Sequence, residues 1–118
     1  MNRSAAAHAA TLALATVFAA DGLLRLTRLE FHILQFAVWG YPAWMVWAVS
    51  VGQVVGAALL LWRRTFPAGV ALLGLISFGF VVTHVMSGDG WVVIFPVAML
   101  AGLAGLAVLR RGQPGTLG

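Results

Sequence analysis

The sequence predicts an all-α, polytopic membrane protein: a four-transmembrane-helix bundle with an interfacial segment between helices 1 and 2. Three observations predict it. Of the 118 residues, 62% are hydrophobic and only 8% are charged, where a soluble domain carries about 25% charged residues and could not otherwise coat its surface. The mean hydropathy of +0.99 is spread over four long apolar runs, each near the ~20 residues that cross ~30 Å of hydrocarbon. The charges sit mostly at the ends of those runs.

The first run is Ala5–Leu24. Arg3, the alanines and Val17-Phe18-Ala19 imitate a signal peptide, but apolar character continues through Leu23 and Leu24. The expectation is an uncleaved span. Residues Arg25 to Tyr41 then mix charge with Phe31, Ile33, Leu34, Phe36 and Trp39. That stretch is too polar to span and too apolar for a free loop, so it reads as a lengthened end of helix one followed by an interfacial segment.

The second run, Ala43–Trp62, follows Pro42, and the third, Ala68–Met86, follows Pro67. Proline suits a helix start, where its missing N–H is no loss. The fourth, Trp91–Leu109, contains Pro96, which predicts a kink near its beginning. Residues 1–111 form one domain in this reading, and 112–118 a flexible tail.

Four spans put the N-terminus, the second–third loop and the C-terminus on one side. Arg3, Arg63, Arg64, Arg110 and Arg111 lie there, against Arg25 and Arg28 on the other side. The bias predicts cytoplasmic termini in a plasma (bacterial inner) membrane. Trp39, Tyr41, Trp44 and Trp91 then belong to an outer aromatic belt, and Trp62 to the inner one.

Other classes are excluded on composition and placement. The net charge of +4 comes without a single lysine and without a basic stripe, so nucleic acid is not an expected partner. With no cysteine, no disulfide chemistry or thiolate metal site is available. His8 and His84 fall at opposite faces and cannot share a haem, while His32 and His84 lack an evident third ligand. No metal site is expected. Ala48, Gly52 and Gly56 repeat every fourth residue, a pattern for close helix packing. Two readings stand, contacts within one bundle and a homodimer face.

Ionisable or amide side chains within spans are costly and are functional candidates by default. Asp21 and Arg25, four residues apart, share a helix face in the favourable order. They are either a self-neutralising pair reaching the headgroups or an inward carboxylate that serves a proton or a ligand. His84, beside Thr83, matches Asp21 in depth and is either an interfacial hydrogen-bonder or Asp21's acid/base partner. Gln53, with Ser50 a turn outward, either ties two helices together or reads a carbonyl or hydroxyl on a bound molecule. The candidate site comprises Asp21 and His84 for chemistry, with Arg25, Trp44, Ser50, Gln53 and Thr83 for binding.

The order of these pieces resembles the DoxX-like family of small four-helix membrane proteins. The resemblance is carried by Gly22-Leu-Leu-Arg25, then Phe36 through Gly40-Tyr-Pro42 and Trp44. It continues through Gly52-Gln53, Gly56, Leu59-Leu60-Leu61 and Arg63-Arg64, then Gly69-Val-Ala71-Leu-Leu73 and Val82-Thr83-His84. It covers about residues 18 to 110. Gln53 departs from the glutamate the family commonly holds, keeping hydrogen bonds but losing proton transfer. Arg25 keeps the charge of a basic position.

The resemblance implies association with membrane redox systems, quinone as a candidate cofactor, or a role in assembly. The leading expectation is a bundle that binds a hydrophobic, quinone- or isoprenoid-like molecule in an outward-facing polar pocket, with redox or acid/base chemistry there. The alternatives are a non-enzymatic subunit of a membrane redox complex and a small proton-coupled exporter.

Overall fold

The structure, a computed structural model, describes residues 2–111; the tail expected over 112–118 lies outside them. All regular structure among the described residues is helical. Helix α1 spans Arg3–Thr27, α2 Leu29–Val38, α3 Trp44–Leu59, α4 Phe66–Ser87 and α5 Ile94–Arg110. Three segments are long and apolar enough to cross a membrane: Arg3–Thr27, Phe66–Ser87 and Gly90–Arg110. At 16 residues, α3 is shorter than the predicted run. It ends at Leu59, and Thr65 Oγ1 then donates to the Leu59 carbonyl at 2.7 Å, closing the turn into α4.

Helix starts and stops follow local chemistry. Asn2 Oδ1 accepts from the Ala5 N–H at 2.8 Å and caps α1. Gly88, at φ 70°, ends α4 in the left-handed conformation that a side chain disfavours. Pro96 stands in the first turn of α5, and a 3-10 turn over Gly90–Val93 leads into that helix. A proline ring clashes with the carbonyl four residues back, so the α-helix begins where that carbonyl no longer matters.

Helices α1, α3, α4 and α5 pack in a ring, each against the next, with α1 against α3 the most extensive pairing. The long axis is 45 Å, about the thickness of a bilayer with its headgroups. Phe18, Leu60, Leu73 and Leu103 make a dry core with Ala15 and Ala57. Outside it, Leu24, Leu75, Phe78, Val85 and many others lie exposed. An apolar exterior around so small a core is what lipid as solvent requires.

Glycines set two of the close approaches. A Cβ on Gly69 would stand 2.9 Å from the Gly56 carbonyl oxygen, so α3 and α4 cross backbone to backbone. Gly52 and Gly56 face Ile76 and Leu73 of α4 within the same chain.

The arginine-rich end is tied together by capping. Arg3 donates to the carbonyls of Val108, Leu109 and Arg111 at 3.0–3.3 Å. Arg110 lies 3.6 Å over the Phe66 ring and reaches the Leu60 carbonyl at 3.4 Å. The start of α1, the end of α3 and the end of α5 therefore share one end of the bundle. Arg3→Ala is expected to cost about 0.3–1 kcal/mol, the worth of a cation at a helix C-terminus. Faster amide exchange confined to residues 106–111 would be its signature.

Candidate functional site

The apolar core fills the arginine-rich half; the other half holds the polar cluster. Gly22 explains where α1 meets α3 there. A Cβ at that position would lie 2.5 Å from the Ser50 carbonyl oxygen, so only glycine lets the helices touch at this level. One turn on, Arg25 reaches across the contact.

Arg25 is buried, with 8% of its side chain exposed, and Asp21 is 45% exposed. The Arg25 guanidinium donates to Asp21 Oδ2 at 2.8 Å, to Gln53 Oε1 at 2.6 Å and to Ser50 Oγ at 3.4 Å. Gln53 Nε2 donates in turn to Asp21 Oδ2 at 2.9 Å. The ring closes: carboxylate, guanidinium and amide each bond the other two. Phe80 of α4 covers the cation, its centroid 5.1 Å from the guanidinium carbon. The pair thus turns inward, toward α3.

His84 does not join that ring. Its Nδ1 lies 2.6 Å from Asp89 Oδ2, in the loop after α4. Phe80 stacks on the imidazole at 6.3 Å, and Trp39 meets it edge-on at 5.3 Å. The expected Asp21–His84 bond is not formed, because an acid five residues along the chain claims the ring first.

Both residues nonetheless line one cavity. It has about 390 Å³ between α1, α4 and α5, with Asp21, Arg25, Ser77, Phe80 and His84 on its polar side and Val17, Phe95, Pro96 and Met99 among its apolar walls. The Ser77 hydroxyl is buried and has no hydrogen-bond partner. A second cavity of about 350 Å³ lies beneath α2, walled by His32, Gln35, Phe36 and Trp39, and it shares Arg25, Phe80 and His84 with the first.

Thr83 falls elsewhere. Its Oγ1 pairs with the Tyr41 hydroxyl at 2.8 Å and donates to the Gly79 carbonyl, on a third, nearly apolar cavity of about 280 Å³. Trp44 is 65% exposed at the start of α3 and belongs to none of the three cavity walls. Sequence reasoning missed Phe80, Ser77 and Asp89. Phe80 had a signal: it lies four residues before His84, on the same helix face.

His32 of α2 faces Arg25 and Arg28. Burial first, then those two cations, hold its pKa below the usual histidine value, while Asp21 opposes them weakly. A histidine whose folded pKa is lowered resists protonation, so its contribution is complete above the unfolded value near 6.5 and is lost as pH falls below it. Amide protection across Leu29–Val38, after correction for the intrinsic slowing of exchange in acid, is expected to fall between pH 7.5 and 5. His32→Gln should remove that pH dependence.

Among the described residues, no group of three or more histidine, aspartate or glutamate side chains is placed to hold a metal. No curated protein and no solved structure matches the chain significantly. The sequence profile described as the DoxX-like family matches residues 9–106, a stretch that holds the whole Asp21–Arg25–Gln53 ring, both neighbouring cavities and most of the four packed helices, and the chain belongs to that family.

Proposed function

We propose that this DoxX-like protein binds a hydrophobic molecule with a polar head, quinone- or isoprenoid-like, in the cavity between α1, α4 and α5. Its apolar part lies against Val17, Phe95, Pro96 and Met99; its head meets Arg25, Asp21 and Ser77. The observation that carries this reading is the buried Ser77 hydroxyl without a partner. A helical serine commonly bonds the carbonyl one turn back, and leaving a buried hydroxyl unpaired costs about 1–3 kcal/mol. The Oγ is covered in this rotamer, and a turn of the side chain about χ1 toward the cavity it lines would let a ligand oxygen satisfy it.

The membrane frame belongs to the same proposal. Helix α3 rises roughly 24 Å at 1.5 Å per residue, and the turns at Leu60–Trp62 carry it further. It completes a fourth crossing within one domain, residues 1–111. The arginine-rich end faces the cytoplasm of a bacterial inner membrane, by the excess of arginine there. Helix α2 lies in the outer interface, above the second cavity.

Asp21 acts as a fixed counter-ion in this reading. Bonded by both Arg25 and Gln53, it lacks the freedom of the lone acid a proton-coupled exporter needs. An accessory role in a membrane complex is the second reading, favoured by Gly74, Gly79 and Gly105, which face open space and could admit another helix. Native-membrane purification tests it: a co-purifying stoichiometric subunit supports it, and recovery of the single chain opposes it.

For the first reading, lipid-disc protein is extracted and its co-purifying small molecules identified by mass spectrometry. A single amphiphile at near one equivalent is expected. Ser77→Ala should weaken its retention about 5-fold, one ordinary hydrogen bond, while the empty protein melts no lower than wild type. Protein that carries only bulk lipid, with no affinity for added quinones or isoprenoids, would end the proposal.

A further inference from the structure

The second nitrogen of His84 gives the cavity a chemical preference that the reading above leaves open. A carboxylate can only accept hydrogen bonds, so the 2.6 Å contact with Asp89 Oδ2 fixes the proton on Nδ1. In the neutral ring Nε2 is then a lone-pair acceptor. Among the described residues Nε2 takes no hydrogen bond, although its ring lies on the walls of both the 390 Å³ and the 350 Å³ cavities. Phe80 and Trp39 lock the plane of the ring from two directions. An imidazole with its tautomer set by a carboxylate and its rotation set by aromatic packing is an oriented acceptor.

The other head-group contacts are mostly donors or already engaged. Arg25 only donates; Asp21 Oδ2 is held by Arg25 and Gln53, and Asp21 Oδ1 on the 390 Å³ cavity is the competing acceptor. We propose that His84 Nε2, oriented by Asp89, accepts a hydrogen bond from a hydroxyl on the bound molecule, so that the site selects apolar molecules bearing an O–H. Of a quinol and its quinone, or an isoprenoid alcohol and its hydrocarbon, the site takes the hydroxyl form. This rests on the cavity being a ligand site, and it adds which head the cavity reads. Asp89 is a positioning residue; His84 is the one that touches the ligand.

The test uses 2-naphthol and 2-methoxynaphthalene, two fluorescent probes in which a methyl group replaces the hydroxyl proton, titrated into the full chain in lipid discs with each affinity referred to its own partition into empty discs. At pH 8 the naphthol is expected to bind about tenfold tighter than its methyl ether, the worth of one buried hydrogen bond. In His84→Phe that ratio should fall to about one, with binding of the ether retained. Side-chain nitrogen NMR supplies the readout for Asp89: the wild-type ring should show one tautomer, Nδ1 protonated, and Asp89→Ala a mixture, with the ratio reduced.

If both probes bind alike in wild type, the cavity stands and the His84 assignment falls. If neither binds, both fall. A ratio that survives His84→Phe also overturns the assignment and places the acceptor elsewhere.

Discussion

Gly22→Ala is expected to be among the most damaging single-methyl changes in the chain, costing about 1–3 kcal/mol as an overpacked contact does. The new Cβ would stand 2.5 Å from the Ser50 carbonyl oxygen and 3.3 Å from Gln53 Cβ. The first neighbour is backbone and cannot rotate away, so α1 and α3 must separate. Separation acts first on the shortest bond that bridges them, Arg25 to Gln53 Oε1 at 2.6 Å. Loss of stability and loss of ligand retention should therefore appear together.

Gly52→Ala is the control. Its Cβ would also be crowded, at 2.9 Å, but the neighbour is Ile76 Cδ1, the far end of a side chain that can change rotamer. It should cost less and leave the polar ring intact. Unfolding in detergent, read alongside probe binding, separates the two. Gly22→Ala behaving like Gly52→Ala would mean that the helices are not held at this distance.

Why the sequence showed some of this and hid the rest has a physical basis. Hydropathy over windows of about 20 residues is a one-dimensional quantity, and lipid imposes it on every span. The long helices α1, α4 and α5 were therefore legible. The segment after Arg25 was too, since Phe31, Phe36 and Trp39 had to be buried somewhere; Phe36 and Trp39 now dock against Phe80 and His84. Pro96 marked an irregularity near the start of the fourth run, and the change from 3-10 to α-helix lies there. The inward turn of Asp21 and Arg25 depended on Gly22, two helices and a backbone carbonyl, none of which spacing alone reports. His84 had two acids within plausible reach, and only coordinates distinguish a loop partner from one across the bundle. Thr83, next to His84 in sequence, points about 100° away around the helix, which put it on another cavity.

Asp21→Asn should cost more than Arg25→Met, and the order tests what the polar ring is. A buried cation that loses its partner commonly costs about 3–5 kcal/mol. Asp21→Asn does that to Arg25, which keeps only neutral acceptors, Gln53 and Ser50, and the Phe80 ring; because the pair is half open to solvent on the Asp21 side, about 2–4 kcal/mol is expected. Arg25→Met removes the buried charge itself and leaves a carboxylate that is 45% exposed and partly hydrated. It strips Gln53 Oε1 and Ser50 Oγ of their shared donor, so about 1–2 kcal/mol is expected. Arg25→Lys should not rescue. A lysine carries one donor centre, and the ring needs two nitrogens aimed at Asp21 and Gln53 on different helices.

The same comparison decides which of the two original readings of the pair is right. A pair that merely neutralises itself while reaching for headgroups would lose little from either change, and lysine would serve as well as arginine. Because Arg25 also lines both cavities beside His84, Arg25→Met should weaken ligand retention more than its stability loss alone accounts for. Equal stability losses for the two single changes, with full rescue by lysine, would place the cation outside the bundle and leave the cavity without its polar wall.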